Sequence, residues 1–193
     1  MDRQKYLNAV KSNIETNIFY HSLALEACMG GIYDYLNSQN KLVGEPVRDE
    51  WTLAGLVHDI DYAGDTKDQH PLKTLEVLKK YNLEISPIID RIVKDHDARQ
   101  GLPANKAGWA IRCADSLTGL ITAVALIYPT KKLAEVKVSS VLKRFLKEPR
   151  FAAGTRRDEV ILCQDADKLN IPLEKFIEIC LESMRKIAPE INL

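Results

Sequence analysis

Net charge is the first thing this chain lacks: across 193 residues, 27 lysines and arginines are matched by 27 aspartates and glutamates. Nothing global therefore steers it toward a polyanion such as bulk nucleic acid or toward an anionic membrane, and any electrostatic function has to be local. Cysteine is sparse as well. Cys28, Cys113, Cys163 and Cys180 are scattered and form no Cys-x-x-Cys pair, which argues against a cysteine zinc site or a disulfide framework and for a reducing, cytoplasmic setting. Long apolar runs are missing too. The longest, from Ser116 to Tyr128, falls short of the roughly 20 residues that cross a bilayer, and the opening MDRQKYLNAVKSNIETNIF has no apolar core of signal-peptide length. There is no convincing strand pair, no Gly-rich phosphate loop, no internal repeat and no Gly-x-Ser-x-Gly arrangement to supply a protein nucleophile.

What remains is an ordinary globular composition, 46% hydrophobic and 28% charged, long enough for one domain over residues 1–193 that buries about 70% of its unfolded surface. Its apolar period is helical nearly throughout. In HSLALEACMGGIYDYL, His21, Leu25, Cys28, Ile32 and Leu36 share one face, with His21 opening it. DEWTLAGLVHD predicts a short helix ending near Asp59, followed by a polar loop, DYAGDTKDQ. HPLKTLEVLKKY, with Pro71 in a first turn, and SPIIDRIVKDH, with Pro87 after Ser86, predict two more helices, and His96 falls near the end of the second. KAGWAIRCADSLTGLITAVALIY is the longest and most apolar candidate, with Asp115 well inside it and Pro129 stopping it. Beyond it, VKVSSVLKRFL, TRRDEVILCQDADKL (with a capping-box spacing from Thr155 to Asp158) and PLEKFIEICLESMRKIA complete an all-α expectation.

The chain has four histidines, His21, His58, His70 and His96, each at a predicted helix start or end. Singly, each reads as a cap or a partner for a helix dipole. No two show the i, i+4 spacing of a one-helix metal site, so periodicity does not bring them together. Asp115 resists a bland reading: a carboxylate inside an apolar helix needs a cation, which Arg112 one turn earlier or a metal can supply.

A leading His21, then His58-Asp59 after an apolar helix (LAGLVHDID), then Asp115 inside a later helix (CADSLTGL) resembles the signature of the HD superfamily of metal-dependent phosphohydrolases, over residues about 20 to 120. The resemblance implies an HD-domain helical bundle with a metal-site core at about 20–128 and accessory helices at about 130–193. KDQHPLK and IVKDHD are similar to the segments that hold a second metal in binuclear branches, which assigns His70 and His96. One departure stands out: relatives often continue as His-Asp-Ile-Gly-Lys, whereas Asp61 and Tyr62 occupy the last two positions here, so a lysine contact to phosphate is missing.

The implied metal ligands are His21, His58, Asp59, His70, His96 and Asp115, with Asp59 and His58 at the catalytic centre and Asp59 able to bridge two ions. Imidazole and carboxylate without thiolate suit iron or manganese first, then zinc, cobalt or nickel, as one or two divalent ions. The implied function is hydrolysis of a small phosphorylated metabolite, a nucleotide or related phosphoester, by a hydroxide formed from metal-bound water. Two alternatives stay open: a di-iron oxygenase of the same fold, and a non-catalytic nucleotide-binding regulatory module. Lys73, Lys94, Arg99 and Arg112 are the expected substrate-binding cations. Residues 131–157 add Lys131, Lys132, Lys137, Lys143, Arg144, Lys147, Arg150, Arg156 and Arg157 against Glu135 and Glu148; this reads as a lid for a polyphosphate or nucleotide, as an RNA-facing patch, or as an amphipathic helix with solvated lysines.

Overall fold

The computed structural model describes residues 2–193, and among them every regular element is helical. The α-helices are α1 (Arg3–Asn13), α2 (Thr16–Ser38), α3 (Arg48–Val57), α4 (Thr74–Lys80), α5 (Pro87–Asp95), α6 (Lys106–Leu126), α7 (Val138–Lys147), α8 (Arg157–Val160) and α9 (Leu173–Lys186). The periodicity therefore predicted the class. One hydrophobic core runs through the chain, from Tyr6 of α1 to Ile191 beyond α9. Leu25, Cys28, Ile32 and Leu36 of α2 are buried in it as the spacing requires, and α2 packs against α3, α6 and α9. All four cysteines are free and buried. Helix α6 is long and apolar enough by composition to span a bilayer, yet 72% of its most apolar window is buried among the other helices; the Ser116–Tyr128 run covers its second half and the two residues beyond its end.

Local signals account for most helix ends. Ser86 accepts the Ile89 N–H and Pro87 starts α5; Asn105 accepts the Gly108 N–H at the start of α6; each satisfies an otherwise orphan donor. The Glu50 carboxylate reaches back to the Val47 N–H and closes the start of α3.

Two expectations need correction, and one helix has no sequence signature. Helix α1 buries only Tyr6, Ala9 and Val10 and so carries little apolar period. Helix α4 begins at Thr74 and not at Pro71: Lys73 stands at its N-cap with φ −106° and ψ 3°, outside the helical range, and its N–H is satisfied by the Asp61 carboxylate. The segment 155–169 forms only one turn of α8 and a 3-10 turn, Ile161–Gln164, and the Thr155 capping box is absent because α8 starts at Arg157 with Arg156 at its N-cap.

The crossing of α2 and α3 sets the later chemistry. A Cβ at Gly55 would lie 3.0 Å from Cα and N of Glu26 and 3.1 Å from the Leu25 carbonyl carbon, backbone atoms with no rotamer to move. Gly55→Ala is expected to push α3 off α2 at a cost of about 1–3 kcal/mol for overpacking, only partly offset by alanine's better helix propensity of about 1 kcal/mol. A lower urea midpoint at unchanged m-value measures it; an equal or higher midpoint would show that the helices separate freely.

Candidate metal centre

His58 and His96 occupy equivalent places in the fold. Each is the first residue after a helix, α3 and α5, and each donates its Nδ1–H to the carbonyl three residues back: His58 to Gly55 at 2.9 Å, and His96 to Val93. The Gly55 carbonyl is among the orphan acceptors of a helix C-terminus, and the Val93 carbonyl also accepts the His96 backbone N–H at 3.3 Å. The imidazole thus closes its own helix with one nitrogen, and its Nε2 is left carrying a lone pair that points away from the helix.

The other two rings are held the same way. His70 Nδ1 donates to Asp61 Oδ1 at 2.6 Å, and the second Asp61 oxygen accepts the Lys73 N–H at 2.8 Å. Thr118 gives its one hydroxyl proton to the Asp115 carbonyl at 2.7 Å, so its oxygen accepts from His21 Nδ1 at 2.9 Å. All four tautomers are therefore set by acceptors at Nδ1, and four Nε2 lone pairs converge.

They converge in two groups, in each of which the ligand atoms lie within 4.8 Å of one another: His21, His58 and Asp115; and Asp59, His70 and His96. In the first, His21 Nε2 is 3.2 Å from His58 Nε2 and 2.9 Å from Asp115 Oδ1. In the second, His70 Nε2 is 2.9 Å from His96 Nε2 and 3.3 Å from Asp59 Oδ1. Asp59 joins them, because its other oxygen, Oδ2, lies 3.2 Å from His58 Nε2 and 3.7 Å from His21 Nε2. Nitrogen lone pairs facing one another at 2.9–3.2 Å beside two carboxylates repel unless a cation stands among them. This donor set can hold a metal ion, and all six residues singled out in the sequence meet here.

Without a metal, protons are the available cations. Burial disfavours a charged His21, but the hydrogen bond to Asp115 and the charges of Asp115 and Asp59 outweigh it and raise its pKa. At His70, burial is likewise outweighed by the bond to Asp61 and the charges of Asp59 and Asp61. His96 goes the other way, down to about 4, through burial and the neighbouring His58. Asp115, although buried, is held well below the carboxylate range by its bond to His21 and the charges of His21 and His58, and Asp59 is lowered chiefly by His58.

Any divalent ion must displace the protons on His21 and His70. Their raised pKa values mean that both are held below and around the ordinary imidazole pKa and lost above it, so metal affinity falls as pH falls, by up to about 100-fold per unit where two protons are exchanged. His96 adds no slope until pH approaches 4. Titration of Mn2+ against a competing chelator between pH 5.5 and 8.5 checks this; a flat profile would mean that these histidines take no part.

The expected cations are placed elsewhere. Lys73 pairs with Glu76 at 2.7 Å and Lys94 with Asp90 at 2.6 Å. Arg99 is held by Asp97 and donates to the His70 carbonyl at 3.2 Å. Arg112 does not reach Asp115: it is buried and donates to the carbonyls of Asp95, Asp97 and Gly101, fastening the segment after His96. The guanidinium on Asp115 is that of Arg156, which contacts Asp115 Oδ2 and Glu159 and leaves Oδ1 facing His21. Within the basic segment, α7 is amphipathic, with Val141 and Phe145 buried, while Arg157 donates to the Phe145 and Phe151 carbonyls.

Sequence reasoning missed three residues of this site. Asp61 stood in plain view as a departure from the family pattern, its ring-holding role invisible until His70 was placed opposite it. Arg156 was one of nine basic residues with nothing to distinguish it. Thr118, three residues after Asp115, carried no signal. Comparison with protein-family models, curated proteins and solved structures finds no match.

Proposed function

We propose that this chain is a metal-dependent phosphohydrolase of the HD type that acts on a small phosphorylated metabolite. The observation that carries the reading is the pair of three-residue groups joined through the two oxygens of Asp59, with every imidazole turned so that Nε2 faces inward. His21, His58, Asp59 and Asp115 would hold one ion, and Asp59, His70 and His96 a second, with iron or manganese favoured by the mixed nitrogen and oxygen donors. Such an ion, when bound, lowers the pKa of a coordinated water toward 7 and polarises phosphoryl oxygens.

The chain's own groups do the rest. Nδ1 acceptors keep the four rings from turning, which preserves ligand geometry through turnover. Arg156, about 42% exposed at its side chain, is the cation placed to receive a phosphate oxygen at this centre while keeping Asp115 oriented, since guanidinium suits planar bidentate contacts.

The test is metal analysis of natively purified protein followed by a metal-by-substrate screen over mononucleotides, dinucleoside polyphosphates and sugar phosphates, with Asp59→Ala as control. Transition metal at one or two ions per chain and metal-dependent phosphate release support the reading. Absence of bound metal, with His58→Ala taking up added metal as the wild type does, would overturn it. Bound iron with no phosphate release across the panel would transfer the assignment to the oxygenase.

A further inference from the structure

The face of α6 that carries Asp115 continues along the helix. Gly119, Thr122 and Leu126 follow at i+4, i+7 and i+11, positions that fall on one stripe. On α2, Asn17 precedes His21 by one turn in the same way. These two stripes wall a cavity of about 450 Å³, in which His21 is itself a lining residue and which Ile18, Ile191 and Leu193 help to enclose. Apart from His21, no lining side chain is charged. The volume falls within the roughly 300–1,000 Å³ of small-molecule sites.

Gly119 is the second observation. It lies in the interior of a 21-residue helix, where glycine is the poorest helix former after proline. Packing does not demand it, for the position is exposed at the mouth of the cavity, a Cβ there would meet nothing within 4 Å, and its φ is not of the kind that needs glycine. What the missing side chain leaves is open space, one turn from a ligand carboxylate.

We propose that this cavity takes the aliphatic part of the substrate, so that the centre hydrolyses phosphate monoesters of apolar alcohols, with Gly119 setting how long a chain is admitted. The charges divide accordingly: the phosphate belongs with the ligand set and Arg156, the uncharged chain with Ile18, Leu126, Ile191 and Leu193. In the reaction, the oxygen of water bonds to phosphorus as the ester P–O bond breaks, and the alcohol leaves with a proton from that water. The phosphate half of this assignment rests on the phosphohydrolase reading; the cavity half does not.

Isothermal titration with n-alkyl phosphates from ethyl to octyl, on metal-free and on Mn2+-loaded protein, separates the two. Wild-type affinity should rise about two- to fourfold per methylene in both forms until the cavity is filled. Gly119→Leu should flatten that rise, with metal content per chain unchanged and an unfolding temperature at or above wild type, and Thr122→Trp should flatten it independently. Affinity that does not depend on chain length, or a slope unchanged in Gly119→Leu, overturns the cavity assignment whatever the activity. A clear slope in the metal-free protein without phosphate release under any metal leaves the cavity standing and overturns the phosphohydrolase reading.

Discussion

Asp59→Asn is expected to break the link between the two halves of the centre with one substitution. One carboxylate oxygen faces His58 and His21, at 3.2 and 3.7 Å, and the other faces His70, at 3.3 Å. An amide keeps the shape but offers a single acceptor oxygen and no charge, so one group loses the oxygen of residue 59 whichever way the side chain turns, and both lose its negative charge. The contribution of a catalytic metal to charge stabilisation is several kilocalories per mole, so under the proposed function phosphate release should fall on the order of 10³-fold or more. Metal per chain should fall with it. Because the shape is conserved, the far-ultraviolet circular dichroism should stay that of the wild type. Activity within tenfold of wild type at saturating metal would remove Asp59 from the chemistry.

Asp61→Asn should produce a smaller and more selective loss. Asp61 is fully buried and accepts twice, from His70 Nδ1 at 2.6 Å and from the Lys73 N–H at 2.8 Å. Asparagine has one oxygen for two donors, so its NH2 must abut either the ring N–H or the backbone N–H, at a cost of about 1–3 kcal/mol for the donor left unpaired. Substituting a partner that orients a ligating histidine typically weakens metal binding 10–100-fold. The loss should fall on the ion that Asp59, His70 and His96 would hold, while the ion that His21, His58, Asp59 and Asp115 would hold stays near wild-type affinity. Two-phase metal titrations distinguish this from general destabilisation: equal weakening of both phases would mean that Asp61 acts on the fold and not on His70.

The two aspartates also show why the doublet His58-Asp59 was legible and its neighbour was not. An apolar helix that runs directly into imidazole and carboxylate is a local pattern, visible in ten consecutive residues. The two readings it posed, a helix cap or a metal ligand, do not exclude one another: His58 caps the last turn of α3 with Nδ1 and leaves Nε2 facing His21, and His96 repeats the arrangement on α5, with Nε2 facing His70. Asp61 carries equal weight in the geometry, but its partner lies nine residues on, across the 3-10 helix Gly64–Gln69. No period links the two. Arg112 illustrates the opposite error. Helical spacing put it one turn from Asp115, but its side chain leaves in another direction, to the carbonyls around Asp95 and Gly101, and the cation on Asp115 comes from Arg156, 41 residues away in the chain.

The sequence by itself determined the helical class, the buried stripe of α2 and the apolar course of α6, because hydrophobic period is a property of short stretches of chain; the six candidate ligand residues came from a resemblance in motif and not from period. The tertiary structure alone decided how those residues meet. The close crossing at Gly55 brings the end of α3 against α2, placing His58 beside His21. Acceptors from other segments then set which nitrogen of His70 and His21 faces inward, and the two oxygens of Asp59 divide the set into groups that share it. Lone-pair direction depends on where the second nitrogen of each ring finds its acceptor, and for His21 and His70 that acceptor lies 97 and 9 residues away along the chain.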